Sequence, residues 1–91
     1  MIPTEELNRL LTQSTIDIEA FMQKNSGFEA HPDLAELFFA RGDIHLAMKN
    51  YKAAMQDYET CLDYDAYFYE ADTRMDKIME IMLPLAMKKE S

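Results

Sequence analysis

Tryptophan and valine are absent from this 91-residue chain, which also has only two glycines, three prolines and one cysteine. Glycine and proline disfavour helices and valine favours strands, so their scarcity indicates helix and argues against sheet. The single Cys61 cannot form an internal disulfide, and no second thiol or paired histidine accompanies it to make a metal site. We therefore expect one all-α domain, residues 1–91, that uses no cofactor.

Cationic residues and long apolar runs are also scarce. Nine Lys and Arg against seventeen Asp and Glu give a net charge of −8, which repels polyanions and predicts no nucleic-acid or membrane partner. No apolar run approaches the ~20 residues that span a bilayer, and the first residues lack the features of a secretory signal. Together with the lone cysteine, these absences predict a cytoplasmic protein.

Helical periodicity divides the chain into segments. Apolar residues recur at helical spacing over 4–26, which predicts one long N-terminal helix. A second stripe begins at Asp33 and continues to about residue 48, and a third occupies 51–62, with Lys49-Asn50 as the turn between them. The second and third stripes predict an antiparallel helical hairpin with a very short loop.

The C-terminal helix, predicted at 67–89, is apolar on more than one face. Pro84 is expected to kink or end it near Leu83. A helix that is apolar all round is normally covered on several sides, so we expect cover from the N-terminal helix or, as we prefer, from a second copy of the chain. The residues of this candidate homodimer interface are Met75, Ile78, Met79, Ile81, Met82 and Leu85.

The hairpin carries a recognisable spacing of large and small residues. Phe38 is followed four residues later by Gly42, Ala54 and Tyr58 keep an A-x3-F spacing, and Cys61 adds a small residue. This pattern resembles one tetratricopeptide repeat, a hairpin of about 34 residues, at about residues 33–66. The resemblance implies a tetratricopeptide-like hairpin flanked by N- and C-terminal capping helices. For the N-terminal segment we prefer a single long helix to an eroded preceding repeat.

The resemblance also implies how the hairpin packs. Glycine is costly inside a helix, and the family places one where the second helix crosses so closely that a side chain would intervene. Ala54 would then be the opposing small residue. The chain departs from the family pattern at three positions, where Arg41 replaces leucine, His45 an aromatic residue and Ala66 the closing proline.

A groove on the first helix of the hairpin is the partner-binding surface that the resemblance implies. An aromatic anchor beside carboxylates predicts an apolar segment of a partner protein that bears Lys or Arg. The alternative is that the aromatic residue packs under the N-terminal helix. The groove positions are Glu36, Phe39, Asp43, Leu46 and Ala47.

Catalytic motifs are missing from the sequence. We find no nucleophile with a neighbouring base, no glycine-rich phosphate loop and no pair of catalytic carboxylates. The expected function is therefore non-catalytic protein binding, as an adaptor or co-chaperone-like module. The alternative is a self-assembling structural subunit whose interface is the C-terminal helix.

Overall fold

A computed structural model describes residues 2–24 and 32–90 of the chain, with side chains as far as residue 83. The helices in these ranges are α1 (Thr4–Lys24), α2 (Pro32–Ala47), α3 (Tyr51–Tyr64) and α4 (Tyr69–Glu90). The described residues contain no strand. The predicted all-α fold is confirmed.

The beginnings of α2 and α4 differ slightly from the predictions. α2 begins at Pro32, one residue before Asp33, because proline has the backbone angle of a helix and lacks an N–H that would be unpaired in the first turn. α4 begins at Tyr69, two residues after the predicted 67. In the N-terminal segment, α1 accounts for 4–24, and the last two predicted residues lie outside the described ranges.

The turn between α2 and α3 lies at the predicted Lys49-Asn50. The N–H of Asn50 donates to the carbonyl of His45 at 2.9 Å, and the N–H of Lys49 to that of Leu46 at 3.0 Å. These two bonds form a Schellman motif, which requires a left-handed residue after the helix. Lys49 occupies that position with φ 63°, where glycine is the usual choice.

Pro84 does not end the last helix. α4 continues through it to Glu90, one residue beyond the predicted 89, so of the two effects expected of Pro84 near Leu83, a kink or an end, the end is wrong. Proline removes one backbone hydrogen bond, to the carbonyl four residues earlier. That carbonyl belongs to Glu80, an exposed residue, where water can replace the missing donor.

One core joins the four helices. α2 and α3 form its centre, with α1 packed on α2 and α4 packed on α3. All four helices contribute buried apolar side chains, which removes apolar area from water at about 25 cal/mol per Å². The residues of this cluster are Ile18, Leu34, Ala35, Phe38, Ala54, Tyr58, Cys61, Ala71 and Ile78.

Gly42 of α2 lies against the ring of Tyr58 on α3. A Cβ atom added there would be 2.6 Å from Cε1 and 2.9 Å from Cδ1 of Tyr58. The three atoms nearest to that Cβ all belong to the Tyr58 ring, whereas the sequence had suggested Ala54 as the opposing residue. The glycine therefore makes room for a large aromatic ring that is itself completely buried.

Candidate functional site

Phe39, the proposed anchor of the α2 groove, is largely engaged by neighbouring helices. Its ring centroid lies 5.7 Å from that of Tyr58 and 4.8 Å from that of Phe68. The guanidinium of Arg74 lies 5.3 Å above the same ring, a distance suited to a cation–π contact. Phe39 is thus covered by Phe68, from the segment before α4, and by Arg74, from the first turns of α4.

Asp43, the second groove residue, joins α2, α3 and α4. One carboxylate oxygen, Oδ1, accepts the hydroxyl of Tyr58 at 2.5 Å and Nε–H of Arg74 at 3.1 Å. Burial, followed by the hydrogen bond to Asp43, raises the pKa of the Tyr58 phenol well above its usual range. The hydrogen bond from Arg74 likewise raises the pKa of that guanidinium. Asp43 therefore serves the internal packing of the helices.

The other predicted groove residues differ in exposure and in their neighbours. Glu36 is exposed, and Leu46 is partly buried against the core. Ala47 instead lines a different depression of about 560 Å³, between the start of α1 and the end of α2, together with Leu7 and other residues. Ala47 thus has neighbours different from those of Phe39 and Asp43.

A buried ion pair between α2 and α3 was missed by the sequence analysis. Arg41 donates from Nε and Nη2 to the two carboxylate oxygens of Asp57, each at 2.8 Å. His45 Nε2 lies 3.7 Å from Asp57 Oδ2, and Thr15 Oγ1 on α1 lies 3.5 Å from Arg41 Nη1. The Asp57 side chain is only 6% exposed. The hydrogen bond to Asp57 raises the pKa of Arg41 above its ordinary value.

The signal for this pair was present in the sequence. Arg41 and His45 are both departures from the family pattern, and they lie one helical turn apart, on one side of α2. Two polar residues at apolar positions imply a buried partner of opposite charge. Because both Asp57 oxygens are already engaged, the cluster is structural in character.

A groove between α3 and α4 is open and almost entirely apolar. We call it the methionine groove; its volume is about 420 Å³ and it is lined by Lys52, Met55, Met79, Met82 and Leu83. The start of α3 lies beside the second half of α4, so the two helices run in opposite directions. Met79, Met82 and Leu83 are 48%, 43% and 52% exposed.

The predicted oligomer residues divide between the core and this surface. Ile78 is fully buried, and Met75 is packed against the core. Met79, Ile81 and Met82 are exposed, and the side chain of Leu85 lies outside the described residues. In the described part of the chain, α1 does not cover Met79, Ile81 or Met82.

Cys61 is completely buried, so its thiol belongs to the core. Burial raises the pKa of the thiol to about 11. A buried protonated thiol reacts slowly, because the thiolate is the nucleophile and the metal ligand. Among the described residues, no three His, Cys, Asp or Glu are placed to share a metal ion.

Comparisons with protein-family models, with curated proteins and with solved structures give no match to this chain. The resemblance to the tetratricopeptide family therefore stays a prediction that depends on the residues of the hairpin. Within the described ranges, no helix has the length and apolar character to cross a bilayer.

Proposed function

We propose that this chain is a non-catalytic, cytoplasmic module that binds another protein, and that the methionine groove is its docking surface. The observation that carries the proposal is the exposure of Met79, Met82 and Leu83 along one side of α4, beside Met55 of α3. Exposed apolar patches mark interaction sites. Methionine is flexible and polarizable, and it adapts to the shape of a bound segment.

The methionine groove is a better docking surface than the α2 groove implied by the resemblance. Phe39 already contacts two aromatic rings, and Asp43 already accepts two hydrogen bonds. A partner binding there would have to fit around those contacts or displace them. The methionine groove needs no such rearrangement, because its side chains are half exposed.

The double variant M79E/M82E tests this docking surface. Because both side chains are half exposed, we expect circular dichroism to report a folded protein with stability changed by less than about 1 kcal/mol. Partners that the wild-type chain captures from its own cell extract should be lost, since carboxylates would be forced into an apolar contact.

The matched control is I16E/M22E, which places the same charges on α1. Ile16 and Met22 are 51% and 45% exposed, so the cost to folding is comparable. The control should retain the captured partners. Equal capture by M79E/M82E and wild type would contradict the proposed docking surface.

Self-assembly is the second candidate function. The observation that favours it is Ile81, which is 39% exposed on the side of α4 away from the methionine groove. A dimer would make the melting temperature rise with protein concentration. A melting temperature independent of concentration, together with a monomeric mass by light scattering, would remove this candidate.

A further inference from the structure

We propose that the methionine groove binds an amphipathic helix whose apolar face is flanked by Lys or Arg. This inference rests on the proposed function and adds the chemistry of the partner. Helical spacing places Asp76 and Glu80 of α4 beside the groove, Asp72 one turn before them, and Glu59 of α3 one turn beyond Met55. All four carboxylates are exposed.

The α4 carboxylates follow the groove along the helix. Asp72, Asp76 and Glu80 are spaced four residues apart, so they form one continuous row. Met79 lies three residues after Asp76, and Leu83 three residues after Glu80, which places the row beside the apolar lining of the groove. Asp76 and Glu80 thus place two negative charges beside the groove on its α4 side, and Asp72 continues the row one turn before them.

The α3 side adds one carboxylate and one cation. Glu59 is one turn beyond Met55, whereas Lys52 lies one turn before it and lines the groove. Because α3 and α4 are antiparallel, Glu59 lies toward the end of the groove where Asp72 and Asp76 are found. None of these carboxylates forms a hydrogen bond or ion pair with another described side chain, so they are free for a partner's cations.

The lining of the groove favours a helix as the bound segment. An extended peptide would bring unpaired backbone N–H and C=O groups against methionine and leucine side chains, and Lys52 is the only polar residue of the lining. Unpaired backbone groups buried in this way are costly. A helix satisfies its own backbone and presents apolar residues at i, i+3, i+4 and i+7, the usual mode of helix-in-groove recognition.

Charge distinguishes this partner from a second copy of the chain. A copy carries a net charge of −8 and the same row of carboxylates beside its own groove. Apposing two such surfaces brings like charges together, which disfavours the pairing. A helix bearing Lys or Arg reverses the sign of that interaction, and the attraction weakens as salt screens it over about 10 Å at 0.1 M.

Three designed helical peptides test the proposal. All three carry the same leucine face, and the flanking positions are Lys, Gln or Glu. Binding is followed by NMR of methyl-labelled methionine, with signals assigned from single substitutions at positions 55, 79 and 82. We expect the Lys peptide to bind about tenfold more tightly than the Gln peptide at low salt, and the Glu peptide more weakly still.

A charge-reversal variant supplies the second measurement. D76K/E80K should abolish the preference for the Lys peptide, whereas the control E5K/D17K makes the same change of net charge on α1 and should keep it. Equal binding of all three peptides would overturn the proposed charge recognition and leave the apolar docking surface standing. If none of the three peptides binds, both this inference and the proposed docking surface are overturned. Methionine signals that shift with protein concentration in the absence of peptide would also overturn this inference.

Discussion

Replacing Gly42 with alanine should destabilise the protein, although alanine is the better helix former. The new Cβ would lie 2.6 Å from Cε1 of Tyr58, about 0.8 Å short of the 3.4 Å at which ordinary contacts begin. The Tyr58 ring has little freedom to move away, because it is completely buried and its hydroxyl is bonded to Asp43. The clash must therefore be relieved by separating α2 from α3.

Two opposing contributions determine how much stability the Gly42→Ala variant loses. Overpacking a core costs about 1–3 kcal/mol or more, whereas replacing glycine by alanine inside a helix gains about 1 kcal/mol. We expect Gly42→Ala to lose about 1–2 kcal/mol net, which lowers the melting temperature by about 5–15 °C in a domain of this size. Gly42→Leu should be more severe.

Thermal and urea unfolding, followed by circular dichroism, measure this loss. The matched control is Ala40→Gly, an exposed position two residues earlier in α2, which reports the helix-propensity term alone and should cost about 1 kcal/mol. If Gly42→Ala were as stable as wild type or more so, the close contact between Gly42 and Tyr58 would be refuted.

Further predictions concern the ion pair, the thiol and the turn. Asp57→Asn should lower the free energy of unfolding in urea by about 2–3 kcal/mol, since it leaves Arg41 without its partner. The double variant R41L/D57A should be about as stable as wild type, and an equal loss of stability in both variants would contradict the buried pair. The pKa of Cys61, raised by burial from 9.0 to about 11, means that its contribution to stability is complete below pH 9 and declines as pH rises toward 11. Cys61→Ala should therefore lose less stability over that interval, and a decline identical to wild type would refute the assignment. Lys49→Gly should stabilise by about 0.5–1 kcal/mol, because it relieves the left-handed conformation; a lower urea midpoint would contradict the turn geometry.

The local pattern of the sequence was sufficient for the helices and for the hairpin turn. Apolar spacing and the Lys49-Asn50 turn depend on residues near one another in the chain, and the structure places these elements within one or two residues of the predictions. The effect of Pro84 inside α4 was harder to predict, because its cost depends on whether water reaches the carbonyl of Glu80. A sequence pattern does not report that exposure.

The side-chain contacts between helices were harder to predict. Arg41 and Asp57 are sixteen residues apart, and their pairing depends on how far α2 and α3 slide and rotate against each other. Phe39 was placed in an open groove because nothing in its own helix indicates that Phe68 and Arg74 cover it. The methionine groove was foreseen only as an apolar face of α4, since its second wall comes from α3.

The hydrogen bonds at Asp43 also determine how the molecule opens. Because Arg74 donates to Asp43 and lies over the Phe39 ring, the start of α4 cannot separate from the hairpin without losing an ion pair and a cation–π contact. Amide hydrogen exchange should therefore show the first turns of α4 exchanging together with α2 and α3. Beyond Ile78, the described residues of α4 form no comparable hydrogen bond or ion pair with the hairpin. This half of the helix can therefore open alone, and a bound partner would slow amide hydrogen exchange there first.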